Sequence, residues 1–168
     1  DLAAPYVAED ARRSALNIFN DQPYTDGLRV FTTIDGEQQK AAQKAVVSGL
    51  LEYDRRHGWR GAEQTLPGSD LAQWQDALKS IDAIGPLQPA VVTDVTESRI
   101  QGARLDGSTF EIGSQGFSWA RAYRSVNSIG SSVKDARTLV QPGDLIRVYE
   151  ENGIWWLAQK PEVEAGFV

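Results

Sequence analysis

The sequence predicts an α+β fold in which helices flank a five-stranded, OB-like β-barrel. Short segments rich in β-branched residues alternate apolar with polar side chains between residues 89 and 160. Turn residues separate these segments at 106–107, 141–144 and 151–153. Three strands, a long connection and two further strands is the arrangement of a small OB-like barrel.

Three helices are predicted ahead of the barrel. Pro5 suits the first turn of a helix that continues to about Asn20, with apolar residues at helical spacing. Asp35 caps a longer helix that Gly58 closes, and Asp70 caps a short third helix. The apolar stripe of each helix indicates one face packed against the rest of the chain.

Six strands are predicted from residue type and alternation. One lies ahead of the barrel, at residues 28–34. The five barrel strands are expected at residues 89–95, 98–105, 109–112, 145–149 and 154–158. Ser, Asn and Gly dominate residues 125–132, so we expect this to be the least ordered part of the chain.

Composition limits the possible functions. The chain has 168 residues, 41% of them hydrophobic, which is enough to bury a core, and no apolar run long enough to span a bilayer. It contains no Met, so we expect a piece of a longer polypeptide whose membrane link lies elsewhere. No Cys and a single His argue against disulfides and zinc sites, and we predict no cofactor or metal.

The net charge of −6 is unevenly distributed. Residues 1–88 contain 9 Lys or Arg against 13 Asp or Glu, whereas residues 89–160 contain 8 of each. OB folds that bind single-stranded nucleic acid need a basic groove with stacking aromatics, which a neutral barrel does not supply. A nucleic-acid-binding OB module is therefore the alternative interpretation.

Residues 131–134 match the S-x-x-K pattern of serine acyltransferases that attack β-lactams. Catalysis would need Ser131 at a helix start, with Lys134 one turn on and a hydroxyl partner on a facing loop. Here the loose S-x-N match ending at Asn127 lies in the same Ser-rich loop, in the wrong order, and no K-T-G follows. We interpret the match as fortuitous and predict no catalytic residue.

Three further clusters have two interpretations each. Residues 54–60 combine three arginines with a carboxylate, as an anion site does, but cations also offset a helix dipole at its C-terminus. Residues 119–125 would place Trp119 and Tyr123 one turn apart if helical, either in the core or on a docking surface. The adjacent Trp155 and Trp156 point to opposite faces of a strand, one of them either covered by helices or open to a partner.

A set of short segments, in order along nearly the whole chain, carries a family resemblance: residues 28–35 (LRVFTTID), 38–46 (QQKAAQKAV), 53–58 (YDRRHG), 85–87 (GPL), 106–108 (DGS), 119–121 (WAR), 123–125 (YRS), 155–159 (WWLAQ) and 161–163 (PEV). Through these segments the sequence resembles class A penicillin-binding proteins of Gram-negative bacteria, of the one-A type. Ala62 and Ala122 stand where this family usually has proline.

The resemblance implies a position between two catalytic modules, a glycosyltransferase and a transpeptidase. Residues 1–35 would be the linker helix and strand leaving the glycosyltransferase, and 36–88 a helical frame. Residues 89–160 would be the barrel, and 161–168 the start of the linker into the transpeptidase. The catalytic glutamate and the acylated serine of those modules have no counterpart here, which implies a fragment that is not itself an enzyme.

The resemblance further implies a docking site for an outer-membrane lipoprotein that activates the synthase, on the periplasmic side of the inner membrane. A purely structural spacer is the other alternative. We predict the docking surface at the barrel mouth, because fixed charges and an aromatic side chain lie near an adaptable loop there. Its residues would be Arg104, Glu111, Arg121, Tyr123 and Arg124.

Overall fold

The computed structural model describes residues 4–20, 27–68 and 70–165. The chain divides into two compact units, one made of residues 1–46 with 166–168 and the other of residues 47–165. The second unit contains the sheet and all the residues of the candidate site, so the fold is built from that unit.

The predicted helices are confirmed. Helix α1 is Pro5–Phe19, with its proline in the first turn, and helix α2 is Gly36–His57. The Asp35 carboxylate accepts hydrogen bonds at 2.9 and 3.0 Å from two backbone N–H groups in the first turn of α2. Helix α3, Leu71–Leu78, is capped in the same way by Asp70. These caps satisfy N–H groups that have no partner within the helix.

The strand predicted at residues 28–34 is wrong. This segment has no regular secondary structure, and Phe31 and Val30 are 89% and 55% exposed. Its alternation fits a strand, but a strand needs a neighbour to complete its backbone hydrogen bonds. No strand within the described part of the chain pairs with it.

The strands are, in chain order, β1 Gln64–Thr65, β2 Gln88–Val95, β3 Arg99–Arg104, β4 Thr109–Gly113, β5 Tyr123–Ser125, β6 Ser128–Ile129, β7 Asp144–Glu151 and β8 Ile154–Ala158. Among the described residues, six of these strands form the antiparallel main sheet of the second unit. Its spatial order is β1-β7-β2-β3-β4, and β8 also pairs with β7. Each of the five predicted barrel segments is a strand of this sheet, within one or two residues at the ends.

The expected closed, five-stranded barrel needs correction. The structure has eight strands in its described residues, and no ladder joins β4 to β8 among them. Side chains bridge these two strands instead, since the rings of Phe110 and Trp155 lie 5.4 Å apart. A short helix α4, Ser114–Phe117, follows β4 and places Gly116 so close to β8 that a Cβ would lie 2.2 Å from the Trp155 carbonyl oxygen.

Apolar clusters cover both faces of the sheet. On β2, Ala90 and Val92 point into the main core with α4 and residues 136–140, whereas Val91 points into a second cluster with α3. A third cluster lies under the C-terminal part of α2, around Tyr149. Burial on both faces explains why adjacent apolar residues interrupt the alternation at residues 90–92 of β2 and 145–146 of β7.

A buried arginine of the sheet is paired with a more exposed carboxylate. Arg147 of β7 is 4% exposed and lies along the strand between the second cluster, which includes α3, and the third cluster, around Tyr149. Its guanidinium donates to both carboxylate oxygens of Glu63, at 2.6 and 3.2 Å, and to the Asp82 carbonyl oxygen at 2.6 Å. This paired geometry satisfies a charge that would otherwise be costly to bury.

Candidate docking surface

A small hairpin lies apart from the main sheet. Among the described strands, β5 and β6 pair only with each other, and Val126 and Asn127 form the turn between them. Tyr123 is 40% and Val126 67% exposed. We call Tyr123–Ile129 the hairpin; sequence analysis expected the least ordered part of the chain here and predicted no strand.

The helical interpretation of residues 119–125 is wrong. Helix α4 ends at Phe117, Trp119 lies in the following turn, and Tyr123 begins a strand. Trp119 packs against the main core, and its indole N–H donates to the Leu157 carbonyl oxygen at 3.1 Å. Of the two aromatic residues, Trp119 therefore packs against the core and Tyr123 faces solvent.

The base of the hairpin is attached to the backbone that follows α2. The Trp59 N–H donates to the Arg121 carbonyl oxygen at 2.7 Å, and the Tyr123 N–H donates to the Trp59 carbonyl oxygen at 2.8 Å. Gly58, at φ +94°, makes the close approach possible, because a Cβ there would lie 2.5 Å from the Arg121 oxygen. We call Gly58–Arg60 the strut.

The side chain of Gln159 contacts the opposite side of the strut. Its amide N–H donates to the Gly58 carbonyl oxygen at 2.8 Å, and its amide oxygen accepts from the Arg60 N–H at 2.9 Å. Gln159 is 4% exposed, at the end of β8. Sequence reasoning did not select this residue, because no local pattern shows that one amide will pair with backbone about 100 residues away.

The arginine cluster at residues 54–60 forms internal contacts. The Arg60 guanidinium donates to the buried Asp54 carboxylate at 2.9 Å and to the Lys160 carbonyl oxygen at 2.7 Å, and it lies 3.2 Å from Glu162. Arg55 lies over the ring of Trp156, 4.4 Å from the centroid, and burial lowers the pKa of its guanidinium. Helix α2 thus covers the outward-facing tryptophan, the outcome that sequence analysis left open.

Two of the five predicted surface residues lie on the main sheet. Arg104 sits 5.1 Å from the centroid of the Trp155 ring and donates to the Gln88 side chain at 2.8 Å. Glu111 accepts from Gln101 at 3.0 Å. Both side chains are therefore engaged with neighbours on the sheet.

The other three predicted residues lie at the hairpin. Arg121 donates to the Gly130 carbonyl oxygen at 2.6 Å. Arg124 is exposed and has no ion pair within the described residues. No hydrogen bond, ion pair or ring contact within the described ranges joins these residues to Arg104 or Glu111.

The hairpin region is cationic on an acidic chain. Residues 112–134 contain Arg121, Arg124 and Lys134 and no Asp or Glu, whereas the whole chain has a net charge of −6. Local positive potential of this kind favours the approach of an acidic surface.

The S-x-x-K match does not form the arrangement that acylation needs. Ser131 and Lys134 lie in an exposed segment without regular structure, and the next helical turn, Ala136–Thr138, begins after both of them. Asn127 lies in the exposed hairpin turn, and no hydrogen bond joins the three residues among those described.

The described part of the chain has neither a cluster of metal ligands nor a membrane-spanning helix. It contains no group of three or more His, Cys, Asp or Glu side chains placed to hold a metal ion. None of its helices combines the length and the apolar character needed to cross a bilayer.

Fold and surface together define an OB-like module with an exposed cationic hairpin. The family model described as "Penicillin-binding protein OB-like domain" matches residues 59–163, and the chain belongs to this family. The match begins in the strut and includes β1 to β8, so it covers the sheet and the hairpin but not the C-terminal part of α2.

The chain is similar in sequence to penicillin-binding proteins 1A of several bacteria. The chain is 37% identical over 172 residues to penicillin-binding protein 1A of Escherichia coli, which covers 99% of the chain and 20% of that relative. It is 37% identical to the protein of the same name from Pseudomonas aeruginosa, covering 100% of the chain and 21% of the relative. The chain thus spans about a fifth of the length of these relatives.

A solved structure shares the fold. The crystal structure of penicillin-binding protein 1A from Haemophilus influenzae superposes with a TM-score of 0.72 at 26% identity, covering 96% of this chain and 23% of that one. The resemblance drawn from the sequence is therefore confirmed, and the OB-like region is the part of these proteins that the chain matches.

Proposed function

We propose that the chain is a non-catalytic regulatory module of a bifunctional peptidoglycan synthase, placed between its glycosyltransferase and transpeptidase on the periplasmic side of the inner membrane. Its role is to dock an outer-membrane lipoprotein activator. The supporting relatives are penicillin-binding proteins 1A about five times as long as this chain.

The hairpin is the observation that carries the docking role. Tyr123 and Val126 expose apolar surface on the same short hairpin that carries the exposed Arg124, and tyrosine and arginine are enriched at the energetic centres of interfaces. The Arg121 side chain supports the hairpin from below. Arg104 and Glu111, engaged on the sheet, form a second candidate patch of the same docking surface.

Site-specific photo-crosslinking in cells that produce the full-length synthase tests this role. A benzophenone side chain replaces Val126 on the hairpin, Glu111 on the sheet, or Gln43 on the exposed face of α2. We expect a lipoprotein adduct from Val126 and none from Gln43. Adducts from Glu111 alone would move the interface to β3 and β4.

A charge reversal gives the affinity measurement. Arg124→Glu is expected to weaken binding of the identified lipoprotein at least tenfold, because it places a like charge against an acidic partner. Lys44→Glu changes the net charge equally on exposed α2 and should leave binding unchanged. Equal binding by both variants would remove the hairpin from the interface.

A purely structural spacer gives a different result in the same cells. For a spacer, every crosslinked adduct would lie within the synthase chain, at every probe position.

A nucleic-acid-binding module would instead slow the migration of single-stranded oligonucleotides in a gel, and its affinity for them would fall steeply with salt. The net charge of −6 disfavours that outcome.

A further inference from the structure

The strut is hydrogen-bonded on both of its sides. Trp59 uses its N–H and carbonyl toward the base of the hairpin, whereas the Gly58 carbonyl oxygen and the Arg60 N–H face Gln159. Successive residues of an extended segment direct their backbone groups to opposite sides, which explains this alternation. The strut therefore acts as a short strand between a backbone partner and a side-chain partner.

The Gln159 side of the strut is continuous with the chain that leaves β8. The Arg60 guanidinium donates to the Lys160 carbonyl oxygen and pairs with Glu162, while Asp54 fixes it from the last turns of α2. Burial of Gln159 and Asp54 means that water cannot readily replace these contacts. Displacement of the strut would break several of them together.

The strut is also hydrogen-bonded directly to the base of the hairpin. Arg121 contributes its carbonyl oxygen to the strut and its side chain to Gly130 at the far end of β6, and Gly130 N–H donates to the Ala122 carbonyl oxygen. Both ends of the hairpin are thus tied to residues 121–123, of which Arg121 and Tyr123 bond Trp59 in the strut. If the hairpin tilted toward the strut, the Arg121 carbonyl oxygen would press on Gly58. These two residues are already so close that a Cβ on Gly58 would clash with that oxygen.

We propose that the strut is a relay that couples the hairpin energetically to residues 159–162. A partner bound to the hairpin would then change the placement of the chain leaving β8, which the proposed function assigns to the transpeptidase side. The coupling itself is a property of the free chain, and only its use in regulation rests on the proposed function.

Amide hydrogen exchange of the Gln159→Ala variant of the 168-residue chain tests the relay by NMR. Loss of both amide contacts frees one side of the strut. We expect the Tyr123 and Gly130 amides, which Gln159 does not touch, to exchange at least tenfold faster, while amides of β3 and β4 keep their rates. Gln101→Ala removes a glutamine hydrogen bond on the outer sheet surface and is the matched control, with unchanged exchange at the hairpin.

Exchange of Tyr123 and Gly130 at unaltered rates in Gln159→Ala would overturn the relay. If that variant accelerates β3 and β4 as well, the reverse perturbation decides. Arg121→Met loosens the hairpin, and the side-chain amide resonances of Gln159 should then shift or broaden; unchanged resonances also overturn the proposal. Neither measurement involves a partner, so loss of docking and loss of the relay are separate results.

Discussion

The main sheet and the hairpin are held by different forces. In the sheet, side chains such as Val91, Ile112 and Val148 are fully buried between strands and helices. In the hairpin, most side chains are exposed, and attachment depends on backbone bonds to Trp59 and on Arg121. The sheet thus derives its stability from apolar burial and the hairpin from a few hydrogen bonds.

This difference predicts unequal local stability. Full burial of one aliphatic side chain contributes about 1.5–3 kcal/mol, whereas one intramolecular hydrogen bond contributes about 0.5–1.5 kcal/mol. The hairpin is therefore the element that can open while the sheet remains folded, as binding elements often do. Substitutions should separate the two regions by size and by range of effect.

The largest effect is expected in the core of the sheet. Ile112→Ala removes a fully buried side chain of β4 and should lower the free energy of unfolding by about 2–5 kcal/mol. Val126→Ala, in the exposed turn of the hairpin, should change it by less than about 0.5 kcal/mol. Urea denaturation followed by tryptophan fluorescence measures both, and equal losses would contradict the comparison.

Gly58 tests the attachment of the hairpin. Gly58→Ala combines strain at φ +94° with a Cβ 2.5 Å from the Arg121 oxygen, whereas Gly61, at φ +100°, has no atom within 4 Å of the added Cβ. We expect Gly61→Ala to cost about 1–2 kcal/mol through strain alone, and Gly58→Ala to cost more.

The two glycine variants should also differ in location. Amide exchange is expected to rise at the hairpin in Gly58→Ala and to stay unchanged there in Gly61→Ala. Equal unfolding free energies for the two would show that the hairpin does not press on Gly58.

Local patterns were sufficient to predict the helices and every described strand of the main sheet except the two-residue β1. Alternation located β2 to β4, β7 and β8, and the caps at Asp35 and Asp70 fixed two helix starts. The turn at residues 152–153 was also predicted, because Asn-Gly favours turns with positive φ at both positions. Both residues have positive φ in the structure. Each of these features depends on neighbours in sequence.

The remaining features depend on distant partners. Residues 28–34 have the pattern of a strand without a described strand beside them, and β5 and β6 are too short and polar to be recognised. Five surface residues were chosen from residue type alone, and only contacts could separate Arg104 and Glu111 from the hairpin group. The strut was invisible because Gln159 and Arg121 reach it from remote parts of the chain.

Two arginines at the hairpin should differ in how much they contribute to the free energy of unfolding. Arg121→Met removes the hydrogen bond to Gly130 and should lower the free energy of unfolding by about 0.5–1.5 kcal/mol. Arg124→Met removes an exposed side chain and should change it by less than about 0.5 kcal/mol. Thermal unfolding by circular dichroism compares the two, and a larger loss in Arg124→Met would reverse their assigned roles.

The smallest effect concerns the turn between β3 and β4. The pKa of Asp106 is lowered from 3.8, chiefly because the Ser108 hydroxyl and backbone N–H donate to its carboxylate, with Arg104 nearby. A lowered folded-state pKa means that this stabilisation is present above the unfolded value and is lost as pH falls through the folded one. Ser108→Ala should therefore raise the Asp106 midpoint in a carboxyl NMR titration, and Ser108→Thr should restore it. The same midpoint in Ser108→Ala and the original chain would exclude the hydroxyl as the cause, and the backbone N–H would then account for the shift.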